Sequence, residues 1–429
     1  MIFDRGSMKR SLVLLTSVAL AASVLTACTK NPPAAEVQTR IVAPAGVSLV
    51  GTTTALVARF RLSPLAASRV YAYTLLAAHR ATVDRDPAYA QADAATAGEV
   101  VGAALLLDKW AARELDAMRR MYSPEQTEHG RKVAKEILAY AATDGFDALN
   151  ASRNQGYIKT PTDTPNLWQW EPTGLLRTNA VEPRWGYLRT ITPEASSCDI
   201  PAPDFQELER EGRKMLTIPD VENSASENVL LWLAGNGTPT PVGQWLAAAT
   251  GYLRGMDAEI VNRTLAGVAV AGFDTGVLLW REKFEHMVAR PETMHQRWFG
   301  KELFLARETP GHPSYPSGHS GFSRAAATIL SEAADKPIIF NLPDDMLARA
   351  TAYEFPNLDA AVAAASNSRV VAFFHFPSDV RAGEQLGRCA GEAVEAGLTQ
   401  LTTKLLNREP FPPFNDVEVS GPPPAEGER

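Results

Sequence analysis

The sequence predicts an all-α protein made of two packed helical bundles, with its polar chemistry in the C-terminal bundle. Apolar residues recur at helical spacing over long runs, and the period-two alternation of a half-buried strand is hard to find. The chain has 429 residues, 45% hydrophobic and 21% charged, so it has the apolar content for a substantial core. Its 42 basic and 49 acidic residues leave a net charge of -7, which argues against a nucleic-acid partner, since such binders usually carry a basic face.

The elements follow in chain order. Lys9 and Arg10 precede an apolar run from Ser11 to Val24 that ends in Leu25-Thr26-Ala27-Cys28. That pattern is a signal peptide. The last four residues resemble the bacterial lipobox, which makes Cys28 the expected lipidation site and residues 1–28 a lipoprotein leader. The expected location is therefore outside the cytoplasm, on a bacterial membrane, held by a lipid anchor alone. Beyond the leader no uninterrupted apolar run reaches the roughly 18 residues a spanning helix needs. Residues 29–58, small and polar with scattered proline, read as a flexible tether.

The N-terminal helical region is assigned to 59–256. Ser63-Pro64 has the form of an N-cap followed by proline at the first helical position, with a helix running on to about Ala81. Further helices are expected from Tyr89 to Arg120, Glu125 to Ala148 and Glu227 to Ala234. Between 150 and 204, proline and aromatics including Trp168, Trp170, Trp185 and Tyr187 indicate a long structured loop whose rings act as a buried plug. The C-terminal bundle is assigned to 257–408, with helices over Asp257–Arg290, from Gly318 to about Ala334, and from Leu358 to Cys389. A proline-rich acidic tail, 409–429, ends the chain. Cys198 and Cys389 would meet in an oxidising compartment, but their separation in sequence leaves open whether they pair.

Five of the seven histidines lie between His286 and His375, and three segments there carry chemistry. In the first, Lys283 and Arg290-Pro291 are seven residues apart. On an unbroken helix this puts both cations on one face, about 10 Å apart along the axis, where they could grip an anion. Pro291 would end that helix. In the second, Tyr315-Pro316-Ser317-Gly318-His319 opens a helix, and backbone N–H groups at its start, with the Ser317 hydroxyl and bare Gly318, make an anion nest. In the third, Ser368-Arg369 precedes His375 by six residues from Arg369, and Asp379 follows four later. One turn brings the Asp379 carboxylate to the His375 imidazole, holding Nδ1–H and leaving Nε2 for a ligand. Arg369 and His375, about 240° apart around a helix, need a bend to converge.

In order, these segments read Lys-x6-Arg-Pro, Pro-Ser-Gly-His and Ser-Arg-x5-His-x3-Asp within a hundred residues. This signature resembles the superfamily of vanadium haloperoxidases, bacterial non-specific acid phosphatases and type-two phosphatidic acid phosphatases. The resemblance is strong over about 260–390 and weaker over 63–250. It implies a site for vanadate, or for phosphate in the same place. Lys283, Arg290 and Arg369 would neutralise the equatorial oxygens, with Ser317 and the Gly318 N–H as further donors. His375 would bond vanadium through Nε2, and His319 would act as acid or base at the opposite apical oxygen. The expected partners are then hydrogen peroxide, a halide and a small organic acceptor.

In a phosphatase the same residues would hydrolyse a phosphate ester, with His375 as nucleophile and His319 protonating the leaving group. A chain that keeps the fold and only binds an oxyanion is a third reading. The length of the chain and Trp280, matching a tryptophan of fungal chloroperoxidase, favour the haloperoxidase. His312, seven before His319, matches bromoperoxidases where chloroperoxidase has phenylalanine, which points to bromide or iodide over chloride. One departure is Ala372-Phe373-Phe374 before His375, where the family usually has a small residue; the rings would either narrow the site or face the core. A divalent-metal hydrolase finds no His-Glu-x-x-His pattern, and a solute-binding protein would need strands that are missing.

Overall fold

The computed structural model describes residues 43–106, 123–150, 163–173, 180–217, 219–220, 222–223, 226–233, 240–303, 305, 308–342, 351–403, 405 and 408. The expected leader, Cys28, the first part of the tether (29–42) and the 409–429 tail lie outside the described residues. Helices dominate: α1 (Ala45–Phe60), α2 (Pro64–Arg80), α3 (Pro87–Leu106), α4 (Glu128–Ala141), α5 (Phe146–Asn150), α6 (Phe205–Thr217), α7 (Glu227–Leu231) and α8 (Pro241–Tyr252). They are followed by α9 (Ala258–His286), α10 (Pro291–Phe299), α11 (Gly318–Ser331), α12 (Leu358–Val371) and α13 (Pro377–Thr403). Among the described residues the protein is all-α apart from one antiparallel strand pair, β1 (Ile338–Leu342) with β2 (Thr351–Phe355), Phe340 opposite Tyr353.

Local signals explain several helix starts. Ser63 accepts a hydrogen bond from the Ala66 N–H at 3.1 Å with Pro64 at the first position, and Asn357 caps α12 through the Ala360 N–H at 2.8 Å. The tether expected to run to residue 58 instead folds at its end. Leu49, Val50, Leu56 and Val57 are buried on α1, which packs on α2 and α3, because they lie on the side of that helix facing its neighbours.

Two helices are buried almost all round. Every residue from Leu65 to His79 on α2 is buried, as is every residue from Thr264 to Trp280 on α9. A helix covered on all sides belongs to the middle of a core, and α9 packs against both α2 on one side and α11 and α13 on the other. The two bundles therefore share one hydrophobic core through α9, with no gap at residue 257. The aromatic segment behaves as the plug expected: Trp168, Trp170 and Trp185 are buried, while Tyr187 is exposed. Cys198 and Cys389 form a disulfide that ties this segment to α13.

Two helical runs read as continuous are interrupted. The expected Asp257–Arg290 helix stops at His286, with Met287 in the left-handed region (φ 50°). Arg290 is extended (ψ 157°) and is the N-cap of α10, so Pro291 starts the next helix and does not merely end the first. The expected Leu358–Cys389 helix breaks between α12 and α13, where Phe373 takes φ 57°; Pro377, which lacks the N–H a continuing helix would use, becomes the first residue of α13.

Candidate active site

These two breaks build the site. Lys283 projects from the last turn of α9 and Arg290 from the extended strap beyond it, so they converge by a chain reversal and not along one helix face. The second break lets Arg369 of α12 and His375 approach each other, the bend their spacing called for. Lys283, Arg290, Arg369, His375 and Asp379 are all buried, and His312 and His319 are partly exposed.

Hydrogen bonds set the tautomers of His375 and His319. Arg290 Nη1 lies 3.0 Å from His375 Nε2 and donates to the Phe374 carbonyl at 2.6 Å. An arginine only donates, so Nε2 is an acceptor and the His375 proton sits on Nδ1, 3.1 Å from Asp379 Oδ2. Arg290 Nη2 likewise holds His312 Nδ1 at 2.9 Å, while Nε donates to the His312 carbonyl at 2.9 Å. The His312 ring lies 4.7 Å from that of Trp280, whose Nε1–H donates to the Val181 carbonyl at 3.0 Å.

His319 hydrogen-bonds the Trp232 carbonyl and its Nε2 has no partner, so its neutral form carries the proton on Nδ1. The same Trp232 carbonyl receives Arg369 Nη1 at 2.9 Å. Arg369 Nε and Nη2 are buried with no protein partner. Lys283 differs: its Nζ donates to the carbonyls of Pro313 at 2.8 Å, Ser314 at 2.9 Å and Pro316. All three of its protons brace the loop that leads to Ser317, and its charge acts on the site from behind that loop.

The electrostatics follow from crowding cations in a dry place. Desolvation, then the neighbouring Arg and Lys charges, pushes His319 and His375 well below the usual imidazole range, and His312 as well. All three are neutral near pH 7. Burial lowers Arg290 to about 9, and burial followed by the Arg290 charge lowers Arg369 to about 9; both stay charged at neutral pH. Lys283 falls well below its ordinary value through burial and then the charge of Arg290. Asp379, raised by burial and held down by bonds from the Ser314 hydroxyl and Phe376 N–H, is the carboxylate set among these cations.

The residues present fit an oxyanion. Unpartnered Arg369 donors, an unpartnered His319 nitrogen and a surplus of buried positive charge all call for an anionic group with several oxygens. Ser317 starts α11 but makes no side-chain cap; its hydroxyl accepts from Ser320 at 2.9 Å, leaving its own proton for another acceptor. A Cβ at Gly318 would meet only Phe322 and Trp280, at 3.9 Å. The protein's own packing does not require glycine there, whereas close approach of a ligand to the backbone would. Among the described residues no group of three or more His, Cys, Asp or Glu side chains could hold a metal ion by itself.

Phe373 packs into a cluster with Leu216 and Leu303, and Phe374 into another with Val229 and Ala372. The rings face apolar packing, and Phe374 also lies 5.2 Å from the Arg369 guanidinium. Several functional contacts were not legible from residue types. The carbonyls of Trp232, Phe374, Pro313 and Pro316 have no side-chain signature. The Ser314 hydroxyl could have been flagged by its place in Pro-Ser-Tyr-Pro-Ser, but spacing alone does not show what it touches.

Comparison with known proteins bears on the fold. The family model described as the VCPO second helical-bundle domain matches residues 304–404. No curated protein sequence matches the chain significantly. Among solved structures, a bacterial vanadium-dependent iodoperoxidase is 20% identical with a TM-score of 0.69, over 82% of this chain and 96% of that one. The holo form of a bacterial vanadium-dependent chloroperoxidase is 15% identical with a TM-score of 0.59, over 86% and 95% of the two chains. The apo form of a bacterial vanadium-dependent chloroperoxidase gives 15% and 0.61, over 85% and 96%. Residues 304–404 thus match the VCPO second helical-bundle domain, and the fold as a whole is similar to that of bacterial vanadium-dependent haloperoxidases.

Proposed function

We propose that this protein is a haloperoxidase that holds vanadate and uses hydrogen peroxide to oxidise bromide or iodide. The observation that carries the reading is the set of unsatisfied polar atoms on Arg369 and His319 beside the Arg290–His375 contact. The likeness of the fold to vanadium-dependent iodo- and chloroperoxidases across both bundles supports it. Bound vanadate would supply a Lewis acid that activates peroxide toward halide without changing its oxidation state.

The chain's own residues do the rest. Arg369 would bind oxygens of the anion through Nε and Nη2, and His375 Nε2, with Arg290 beside it, would hold the vanadium. Asp379 holds the His375 Nδ1–H so that Nε2 stays aimed. Ser317 and the Gly318 N–H donate to the anion, and Lys283 adds its field through the loop it braces. His319, neutral with Nε2 unpartnered, could take a proton from peroxide. The softer halides, bromide and iodide, release electrons more readily than chloride, in keeping with His312 beside the site.

The test is halide oxidation by the purified protein with peroxide, before and after loading with orthovanadate, beside a phosphate-ester assay. Vanadate-dependent iodide or bromide oxidation, abolished in His375→Ala, is the expected result. Ester hydrolysis blocked by vanadate, with no halide oxidation, would instead make the protein an acid phosphatase with His375 as nucleophile. Neither activity would leave an oxyanion-binding protein. We also propose that the chain is exported and lipidated at Cys28; a mature amino terminus that is not an acylated cysteine by mass spectrometry would refute this.

A further inference from the structure

We infer that Ser314 is a positioning residue for the oxyanion site, acting through Asp379 on His375. The inference rests on the oxyanion reading above only for its binding arm. Ser314 is fully buried and none of its polar groups is idle. Its N–H donates to the Val288 carbonyl at 2.8 Å, on the strap that leads to Arg290. Its carbonyl accepts from Lys283 Nζ at 2.9 Å, and its hydroxyl donates to Asp379 Oδ2 at 2.5 Å. One residue thus joins the end of α9, the strap bearing Arg290 and the start of α13.

The bond to Asp379 decides the consequence. Oδ2 collects three donors, from Ser314, from the Phe376 N–H at 3.0 Å and from His375 Nδ1 at 3.1 Å, while Oδ1 has none. A carboxylate gripped at one oxygen only is turned by its donors. Of the three, the Phe376 N–H is backbone on the same chain turn and the His375 ring is the group to be aimed. Ser314 is the anchor that comes from elsewhere in the fold, so it fixes the carboxylate plane and, through it, the direction of Nε2. Charge-assisted bonds of this kind carry more energy than neutral ones, and losing one is expected to weaken whatever Nε2 binds.

The experiment uses the full-length protein with 15N-labelled histidine, free of added anion, as wild type, Ser314→Ala and Ser314→Thr, followed by calorimetric titration with orthovanadate and inorganic phosphate. In the wild type and in Ser314→Thr, which keeps the hydroxyl, the His375 Nδ1–H resonance should be downfield and slow to exchange. In Ser314→Ala it should broaden or move upfield, with oxyanion affinity lower by about tenfold, the loss expected for one charge-assisted bond. An unchanged His375 resonance in Ser314→Ala would overturn the proposal, whatever its melting temperature, because a residue that only fills space would lower stability without releasing the ring. Should Ser314→Ala not fold, Ser314→Cys, a close match in shape but a weak donor, takes its place with the same expectation and the same refuting result. If the wild type binds neither anion, the oxyanion reading fails while the resonance still judges Ser314.

Discussion

Arg369 sits buried with one hydrogen bond to the protein, through Nη1, and two nitrogens unpartnered. A buried cation held so loosely costs stability until something negative arrives. Arg369→Met is therefore expected to raise the stability of the anion-free protein by about 1 kcal/mol and to weaken vanadate or phosphate binding by about 10- to 100-fold. Melting curves without anion, together with titrations, read both effects; a destabilised variant with undiminished affinity would refute the assignment. At this scale the sequence was most informative. Lys283, Arg290, Ser317, Gly318, His319, Arg369, His375 and Asp379 were all picked out by spacing and resemblance, and the structure brings them into one region. It did not reveal what each atom holds. The three carbonyls that take up Lys283, and the Trp232 carbonyl shared by His319 and Arg369, are backbone groups that any residue type would offer.

At the scale of elements, α11 and α13 cross with their backbones nearly touching. A Cβ on Gly387 would lie 2.1 Å from the Gly321 carbonyl oxygen, and one on Gly383 2.3 Å from that of Ser317. Gly387→Ala is expected to cost about 3 kcal/mol through overpacking and to weaken oxyanion binding by prising Ser317 and Gly318 away from Asp379. Denaturant melts and a phosphate titration check this; a neutral substitution would mean the helices can separate freely. Helix existence was legible from apolar periodicity, and Ser63-Pro64 marked its start correctly. Helix ends were not, because Met287 and Phe373 adopt left-handed backbone that their residue types do not announce. The same limit hid the fold-back that unites Lys283 with Arg290. It also hid α1, whose small residues read as tether until α2 and α3 gave its apolar side something to cover.

For the whole molecule, crowded cations make stability depend on what is bound. Orthovanadate at a hundred times its dissociation constant should stabilise the protein by about 2.7 kcal/mol, seen as a melting temperature several degrees higher; no shift with either vanadate or phosphate would count against the site. Acid acts through another buried group. His79 on α2 is 4% exposed and lowered to about 4, by burial first and then by the charge of Arg263. The unfolded chain takes up that proton at a higher pH than the folded one, so stability is lost as pH falls from about 6.5 toward 4, by about 3 kcal/mol if the shift is fully expressed. His79→Gln should flatten that part of the pH dependence of the urea midpoint, and an equally steep profile would assign the loss elsewhere. The pairing of Cys198 with Cys389, which sequence left open, joins residues 191 positions apart. Reduction is expected to destabilise the fold by about 3–5 kcal/mol on loop-closure grounds, measurable as a lower midpoint with dithiothreitol. The bond also makes the second half of the chain a closed ring. A single proteolytic cut anywhere between the two cysteines would open the backbone yet release no fragment, so Lys283 and Arg290 could stay tethered to His375 and Asp379. Such a nicked protein would migrate as one species until a thiol was added.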